Sequence, residues 1–206
     1  MARRASSGRW LHRQKTDQFV KQRDQHGFRS RSAYKLQEIN RRDRLIRPGS
    51  RIIDLGASPG GWTQVALAAA TAQGMVVAVD ILAMDPLPGA TIIQGDCREF
   101  DVMRRVLDVV GTEGVDLVMS DMAPNITGIA VVDEAQCSEL AQVTLQFSHR
   151  FLKPGGTLLI KLFQFAQTQS LLTEIKAAFG EVVRRKPDSS RAESREFYVV
   201  GRRFGI

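Results

Sequence analysis

The sequence predicts a single α/β domain: a mostly parallel sheet with helices on both faces and an antiparallel last strand. Three observations predict it. Short apolar runs alternate with helical patterns from residue 51 onward, as strand–helix–strand units do. Those runs, among them VVAVD, VDLVMS and LLIKLF, are apolar nearly throughout, which suits strands buried on both faces. The last two strand-like segments are joined by too few residues for a parallel crossover, so the final one runs antiparallel. A chain of 206 residues with 43% hydrophobic content is of a size for one such domain with a full core.

In chain order, residues 1–15 are small, polar and basic and are expected to lack fixed structure. A short helix is expected over 17–25, ended by Gly27. A second is expected over 31–43, with Ala33, Leu36 and Ile39 on one side. The Pro48-Gly49 turn opens the alternating part. Strands are expected at 51–55, 75–80, 91–94, 115–120 and 157–162, and helices at 61–72, 99–110, 134–152 and 168–179. Strands at 181–186 and 195–201 form the closing hairpin around Pro187, Asp188 and Ser189. The organisation expected is a basic, partly disordered arm over 1–30 and one domain over 31–206, without internal repeats.

Composition excludes several classes. No run approaches the ~20 apolar residues of a membrane span, and the basic N-terminus lacks the apolar segment of a signal peptide. Cys97 and Cys137 form no C-x-x-C, and three histidines are too few to suggest a metal site. A reducing cytoplasm, no metal, no membrane and a monomer are the expectations. Charge points to a partner. Residues 1–51 hold 15 Lys/Arg against 4 Asp/Glu, residues 52–183 hold 7 against 15, and residues 184–206 hold 7 against 3. A basic arm and tail around an acidic middle are the footprint of a polyanion binder. Trp10, Phe19, Phe28 and Tyr34 interleave the arm and could stack on bases.

The stretch DLGASPGGW, Asp54 to Trp62, narrows the ligand. It lies between an apolar run and a helical run, so it is a glycine-rich strand-to-helix turn whose bare backbone can lie against a ligand. Its spacing is not the G-x-G-x-x-G of dinucleotide sites. Pro59 deletes a backbone donor, and Asp54 puts an acid at the head of the turn. Such a turn suits a zwitterionic nucleoside such as S-adenosylmethionine better than a phosphate.

Ligands of open α/β sheets bind beyond the carboxyl ends of the strands. Asp80, Asp96, Asp121 and Lys161 stand at or just after four strand ends, and Glu196 begins the antiparallel strand, so five ionisable groups converge on one rim. Asp80 lies 20 residues after Gly60, the offset at which an acid reaches ribose hydroxyls. Asp96, one element on, is set to reach adenine, and Trp62 is placed either to cover the ligand or to pack as an aromatic at the helix start. Lys161 interrupts an apolar strand, where its burial is costly unless it is paired.

SRSAYKL (30–36), DLGASPGGW, Gly95-Asp96, SDMAPN (120–125), LKPGG (152–156), KLFQ (161–164) and SRAESREFYVV (190–200) occur in this order. In this ordered set the chain resembles the bacterial FtsJ-like, heat-shock-associated ribosomal RNA 2′-O-ribose methyltransferases, over nearly its whole length. The resemblance implies a class I S-adenosylmethionine-dependent methyltransferase fold with a Rossmann-like, seven-stranded sheet. It implies a catalytic tetrad of Lys35, Asp121, Lys161 and Glu196, and cofactor contacts from Gly60, Trp62, Asp80, Asp96 and Asp121. It implies as substrate a uridine in the A-loop of 23S rRNA within the 50S subunit. Ser58 stands where relatives often carry alanine.

The tetrad is chemically coherent by itself. A ribose hydroxyl is a weak nucleophile that must be positioned and deprotonated. Burial of Lys161 and the nearby Lys35 ammonium favour a neutral amine able to act as base, while Asp121 and Glu196 favour its charged form. A charged Lys161 would instead stabilise the developing alkoxide. The base role is favoured here, with Lys35 tuning Lys161 and contacting RNA. The other readings are a nucleotide-dependent oxidoreductase, which lacks its fingerprint, and a noncatalytic RNA-binding assembly factor, which would need no intact tetrad.

Overall fold

The computed structural model describes residue 19 and residues 25–165, 168–191 and 193–206. The expectations for residues 1–15 and for most of the helix at 17–25 lie outside these. Seven strands form one sheet: β1 (Arg51–Leu55), β2 (Met75–Asp80), β3 (Ala90–Gln94), β4 (Val115–Ser120), β5 (Leu152–Phe163), β6 (Phe179–Arg185) and β7 (Glu196–Phe204). Among the described residues the long helices are α1 (Ala33–Asp43), α2 (Gly61–Ala70), α3 (Phe100–Val110), α4 (Ala130–Phe151) and α5 (Thr168–Ala178). The strand order is β3-β2-β1-β4-β5-β7-β6. Neighbours pair in parallel from β3 through β5, and β7 is antiparallel to both β5 and β6. The order reverses between β1 and β4, which opens a crevice beyond their carboxyl ends. Among the described residues no helix is long and apolar enough to cross a membrane.

Strand alternation sorts side chains onto two faces. Ile53, Val118, Leu158, Ile160 and Val199 pack with α3, α4 and α5, whereas Ile52, Leu117, Leu159, Tyr198 and Val200 pack with α1 and α2. The same alternation puts Asp54 with Ile52, Lys161 with Leu159, and Glu196 with Tyr198. All three polar positions therefore belong to the face covered by α1, the helix that carries Lys35.

The ends of elements differ from the sequence pattern for local reasons. The helix expected over 61–72 stops at Ala70, where Thr71 turns to φ 62° and its N–H bonds the Leu67 carbonyl. The helix expected from 134 starts at Ala130. Asp133 reaches back to the Thr127 N–H and hydroxyl at 2.7 Å each and to the Gly128 N–H at 3.1 Å, fixing the turn before it. The strand expected over 157–162 begins at Leu152, directly after α4, and its register against β4 shifts between Val115 and Leu117. Such an irregularity accommodates Pro154, which has no N–H for the ladder.

Candidate active site

The glycine-rich turn after β1 approaches the turn after β4. Gly56 has φ 73°, and a Cβ there would lie 2.4 Å from Met122 Cγ, so only glycine fits. Beyond these turns opens a cleft of about 560 Å³. Gly56, Ser58, Asp80, Asp96 and Asp121 line it, with Met122 and Leu140 as apolar walls. Asp80 accepts the Ser58 N–H on one oxygen at 2.8 Å and the Leu82 N–H on the other at 2.7 Å, which fixes its carboxylate at the end of β2. Asp96 is gripped by Arg98, whose guanidinium also reaches Glu139 on α4 at 2.6 Å. The hydrogen bond from Arg98 holds the Asp96 carboxyl below the usual carboxylate range.

Gly60 and Trp62 stand behind the cleft and not on its lining. Gly60, at φ 112°, faces Leu87 and the Arg29 side chain. Trp62 is 2% exposed. Its indole N–H donates to the Ser32 carbonyl at 2.9 Å, and its ring lies 5.7 Å from that of Tyr198. Its side chain therefore fixes the entry to α1, three residues before Lys35. The Gly60 N–H is taken by the Ala57 carbonyl, and what Trp62 offers toward the turn is backbone in the first turn of α2, where N–H groups have no intrahelical acceptor.

The second half of the site lies on the α1 face. Lys161 on β5 and Tyr198 on β7 are direct cross-strand partners, as are Phe163 and Glu196. Lys161 Nζ donates to the Asp121 carbonyl at 2.5 Å and pairs with Asp121 Oδ1 at 3.0 Å. The Tyr198 hydroxyl donates to that same Oδ1 at 2.7 Å. Lys35 Nζ pairs with Glu196 Oε1 at 2.5 Å and lies 5.7 Å from the centre of the Tyr198 ring. Lys35 and Lys161 are each only 9% exposed, so both ammonium groups depend on their acids for compensation. The four tetrad residues thus form two pairs, Lys161–Asp121 and Lys35–Glu196, with Tyr198 between them. Glu196 engages Lys35 rather than Lys161. Burial pushes the Glu196 carboxyl up, and the Lys35 ammonium more than offsets this, leaving it below its ordinary value. Burial, with the charges of Asp121 and Glu196, pushes the Tyr198 phenol far up, so it remains a donor.

Asp121 belongs to both halves: it lines the cleft and holds Lys161. A molecule in the cleft and a hydroxyl held at Lys161 would therefore meet at this one carboxylate.

The family model of FtsJ-like methyltransferases matches residues 28–204. The chain belongs to the FtsJ-like methyltransferase family. Family members similar to it include the ribosomal RNA large subunit methyltransferase E of Cellvibrio japonicus, 48% identical over 204 residues, covering 99% of this chain and 97% of the relative. That of Pseudomonas fluorescens is 48% identical, covering 99% and 98%. That of Marinobacter nauticus is 45% identical over 206 residues, covering 100% of both chains. The crystal structure of a ribosomal RNA methyltransferase from Plasmodium falciparum is similar at a TM-score of 0.78 and 30% identity, covering 86% of this chain and 98% of that one. As a methyltransferase of the FtsJ-like family, the chain requires a methyl donor.

Three residues of the site went unread in the sequence. Tyr198 follows Glu196 by two positions, the strand period that puts both on one face, and that spacing was the available signal. Arg98 gave no signal, because its grip on Asp96 depends on a turn. Asp54 was read only as the head of the glycine turn. It is 1% exposed, with Oδ2 accepting the Thr63 hydroxyl at 2.7 Å and Oδ1 lacking a protein donor among the described residues.

Proposed function

We propose that this chain transfers the methyl group of S-adenosylmethionine to a ribose 2′-hydroxyl of large-subunit ribosomal RNA. The adjacency of the acidic cleft and the Lys161–Asp121 pair carries the reading. The names of the relatives support the ribosomal substrate. The resemblance in the ordered motifs supports a uridine of the 23S A-loop, presented on the 50S subunit to a cytoplasmic monomer.

The residues present fit the cofactor. Gly56 bares backbone along the cleft. Asp80 is fixed to accept from a ribose diol and Asp96 from an adenine amino group. The acids suit a cation and repel a pyrophosphate. When bound, S-adenosylmethionine supplies an electrophilic methyl group on a sulfonium. Asp121 aims the Lys161 amine through two contacts, and that amine, after its own proton has left to solvent, takes the proton of the 2′-hydroxyl. Lys35, held by Glu196, faces a groove of about 340 Å³ shared with Arg31, Arg191 and Glu193; its three cations outnumber its two acids and suit phosphates flanking the target ribose.

Transfer of labelled methyl to 50S subunits, free rRNA and tRNA, compared side by side, tests the reading. The label is expected on a 2′-hydroxyl of 23S rRNA with 50S subunits as the best acceptor. Label on tRNA alone, or on a base, overturns it. For the cleft, calorimetry is expected to show that Asp80→Ala weakens S-adenosylmethionine binding by roughly 1–3 kcal/mol, the cost of unpaired polar groups. Tighter binding of NAD than of S-adenosylmethionine contradicts this site.

The arm is proposed to add RNA affinity. Residues 27–29 pack on the fold: Gln64 bonds the Gly27 carbonyl and the Arg29 N–H, and the Arg29 guanidinium bonds the Asp85 and Pro86 carbonyls. The informative truncation therefore removes residues 1–24, with seven Lys/Arg and two Asp. It is expected to flatten the salt dependence of RNA binding, through fewer released counterions, and to leave cofactor binding intact. An unchanged slope puts the RNA contacts elsewhere.

A further inference from the structure

Asp54 sits on the central strand β1, flanked in the sheet by Ala78 of β2 and Met119 of β4. A carboxylate there would ordinarily be capped by N–H groups of the turn that follows it. Those groups are committed elsewhere. The Gly56 and Ala57 N–H groups bond the Val79 carbonyl, and the Gly60 N–H bonds the Ala57 carbonyl. The Ser58 N–H bonds Asp80, and Pro59 has none. Thr63 of α2 donates the one hydrogen bond that reaches the carboxyl among the described residues. The charged groups that act on it are both acids, Asp80 at the end of β2 and Asp121 after β4. Both line the cleft.

We propose that Asp54 lets the cleft distinguish a cationic methyl donor from its neutral-sulfur product, by giving up its proton when the donor binds. The inference rests on the S-adenosylmethionine reading above. A buried carboxyl with one donor and two acidic neighbours holds its proton while the cleft lacks a cation. Burial, opposed by the Thr63 hydrogen bond and assisted by Asp121 and Asp80, pushes the carboxyl up to about 7. A sulfonium charge in the cleft that Asp80 and Asp121 line would offset their repulsion and favour the carboxylate. The Asp54 O–H bond then breaks, its electron pair stays on the carboxylate, and the proton leaves to solvent. The thioether of the product brings no sulfonium charge, so the proton stays. The direction is fixed by linkage: proton release on binding means donor affinity rises with pH through this range, while product affinity does not. Turnover benefits, because the site prefers what it must bind over what it must release.

Calorimetry at pH 7 in phosphate and in Tris buffers measures the proton directly. S-adenosylmethionine is expected to release a measurable fraction of a proton, as a group partly protonated before binding would, and S-adenosylhomocysteine none. Donor affinity is expected to rise by up to about tenfold per pH unit below neutrality and to level near pH 8. Asp54→Asn, which mimics the protonated form, is expected to abolish both the release and the pH dependence. Thr63→Val, which removes the one donor, is expected to move the rise to higher pH, and it keeps the carboxyl if Asp54→Asn does not fold. Equal proton release by donor and product, buffer-independent donor binding, or release that persists in Asp54→Asn overturns the role of Asp54. Absence of any S-adenosylmethionine binding overturns the cofactor reading and the inference with it.

Discussion

Lys161→Ala is expected to lower single-turnover methyl transfer by at least about 10²-fold, the lower end of general acid–base assistance, while donor binding survives. The separation follows from geometry. Lys161 is the cross-strand partner of Tyr198 on β7, and its amine is held by Asp121 through the carbonyl at 2.5 Å and Oδ1 at 3.0 Å. It is absent from the cleft lining that holds Asp80 and Asp96. On the proposed reading, its removal takes away the group that acts on the hydroxyl and leaves the groups that hold the donor. The pH–rate profile of the unsubstituted enzyme assigns the role. A base gives activity that climbs with pH to a plateau, and a charged stabiliser gives activity that is lost once the amine deprotonates. Rapid-quench transfer to 50S subunits, alongside a calorimetric donor titration, measures both quantities. Retention of more than about a tenth of the rate, above what loss of an acid–base group allows, removes Lys161 from the chemistry.

The sequence exposed the frame of this site better than its wiring. Buried parallel strands are short, nearly continuous apolar runs, so β1, β2 and β4 were legible nearly to the residue. The short link around Pro187 dictated the antiparallel β7, and with it the arrival of Glu196 beside the end of β5. The tetrad positions came from resemblance, and the fold brings all four together. Partner choice is what the pattern could not give. Lys35 and Glu196 are separated by 161 residues, and only the docking of α1 on the sheet pairs them, leaving Asp121 to hold Lys161. Trp62, following the glycine turn, is open in the sequence to two roles, a ligand cover or a packed aromatic. Its place in the first turn of α2 directs the ring into the α1 face, against Tyr198. Asp54 reads as one more turn-forming acid until the turn's N–H groups are traced to other acceptors. Periodicity reports which face a residue occupies, and these gaps all concern which neighbour it meets there.

Asp121→Asn is expected to be nearly as damaging as loss of Lys161, and to differ from it in one respect. The Asp121 carboxylate balances an ammonium whose side chain is 6% exposed, and its Oδ1 also accepts the Tyr198 hydroxyl. Removing the charge leaves Lys161 buried without its acid, a change that costs about 3–5 kcal/mol where a buried pair is broken. Even half of that, expressed as misplacement of the amine, slows transfer by roughly 10-fold, and all of it by more than about 10²-fold. Because Asp121 also lines the cleft, its variant is expected to weaken donor binding, which Lys161→Ala is not. Tyr198→Phe separates charge from orientation. It deletes one hydrogen bond to a charged acceptor, of about 1.5–3 kcal/mol, and leaves the Lys161–Asp121 pair and the ring packing in place, so its effect on rate is expected to be smaller. The Tyr198→Phe/Asp121→Asn double variant is expected to lose less than the two separate effects combined, since both act through one oxygen. Single-turnover rates for the three variants, measured with saturating donor, give this ordering. An Asp121→Asn enzyme within about threefold of the unsubstituted rate, a difference well under 1 kcal/mol, means that Lys161 is placed by β5 alone and that Asp121 serves only the cleft.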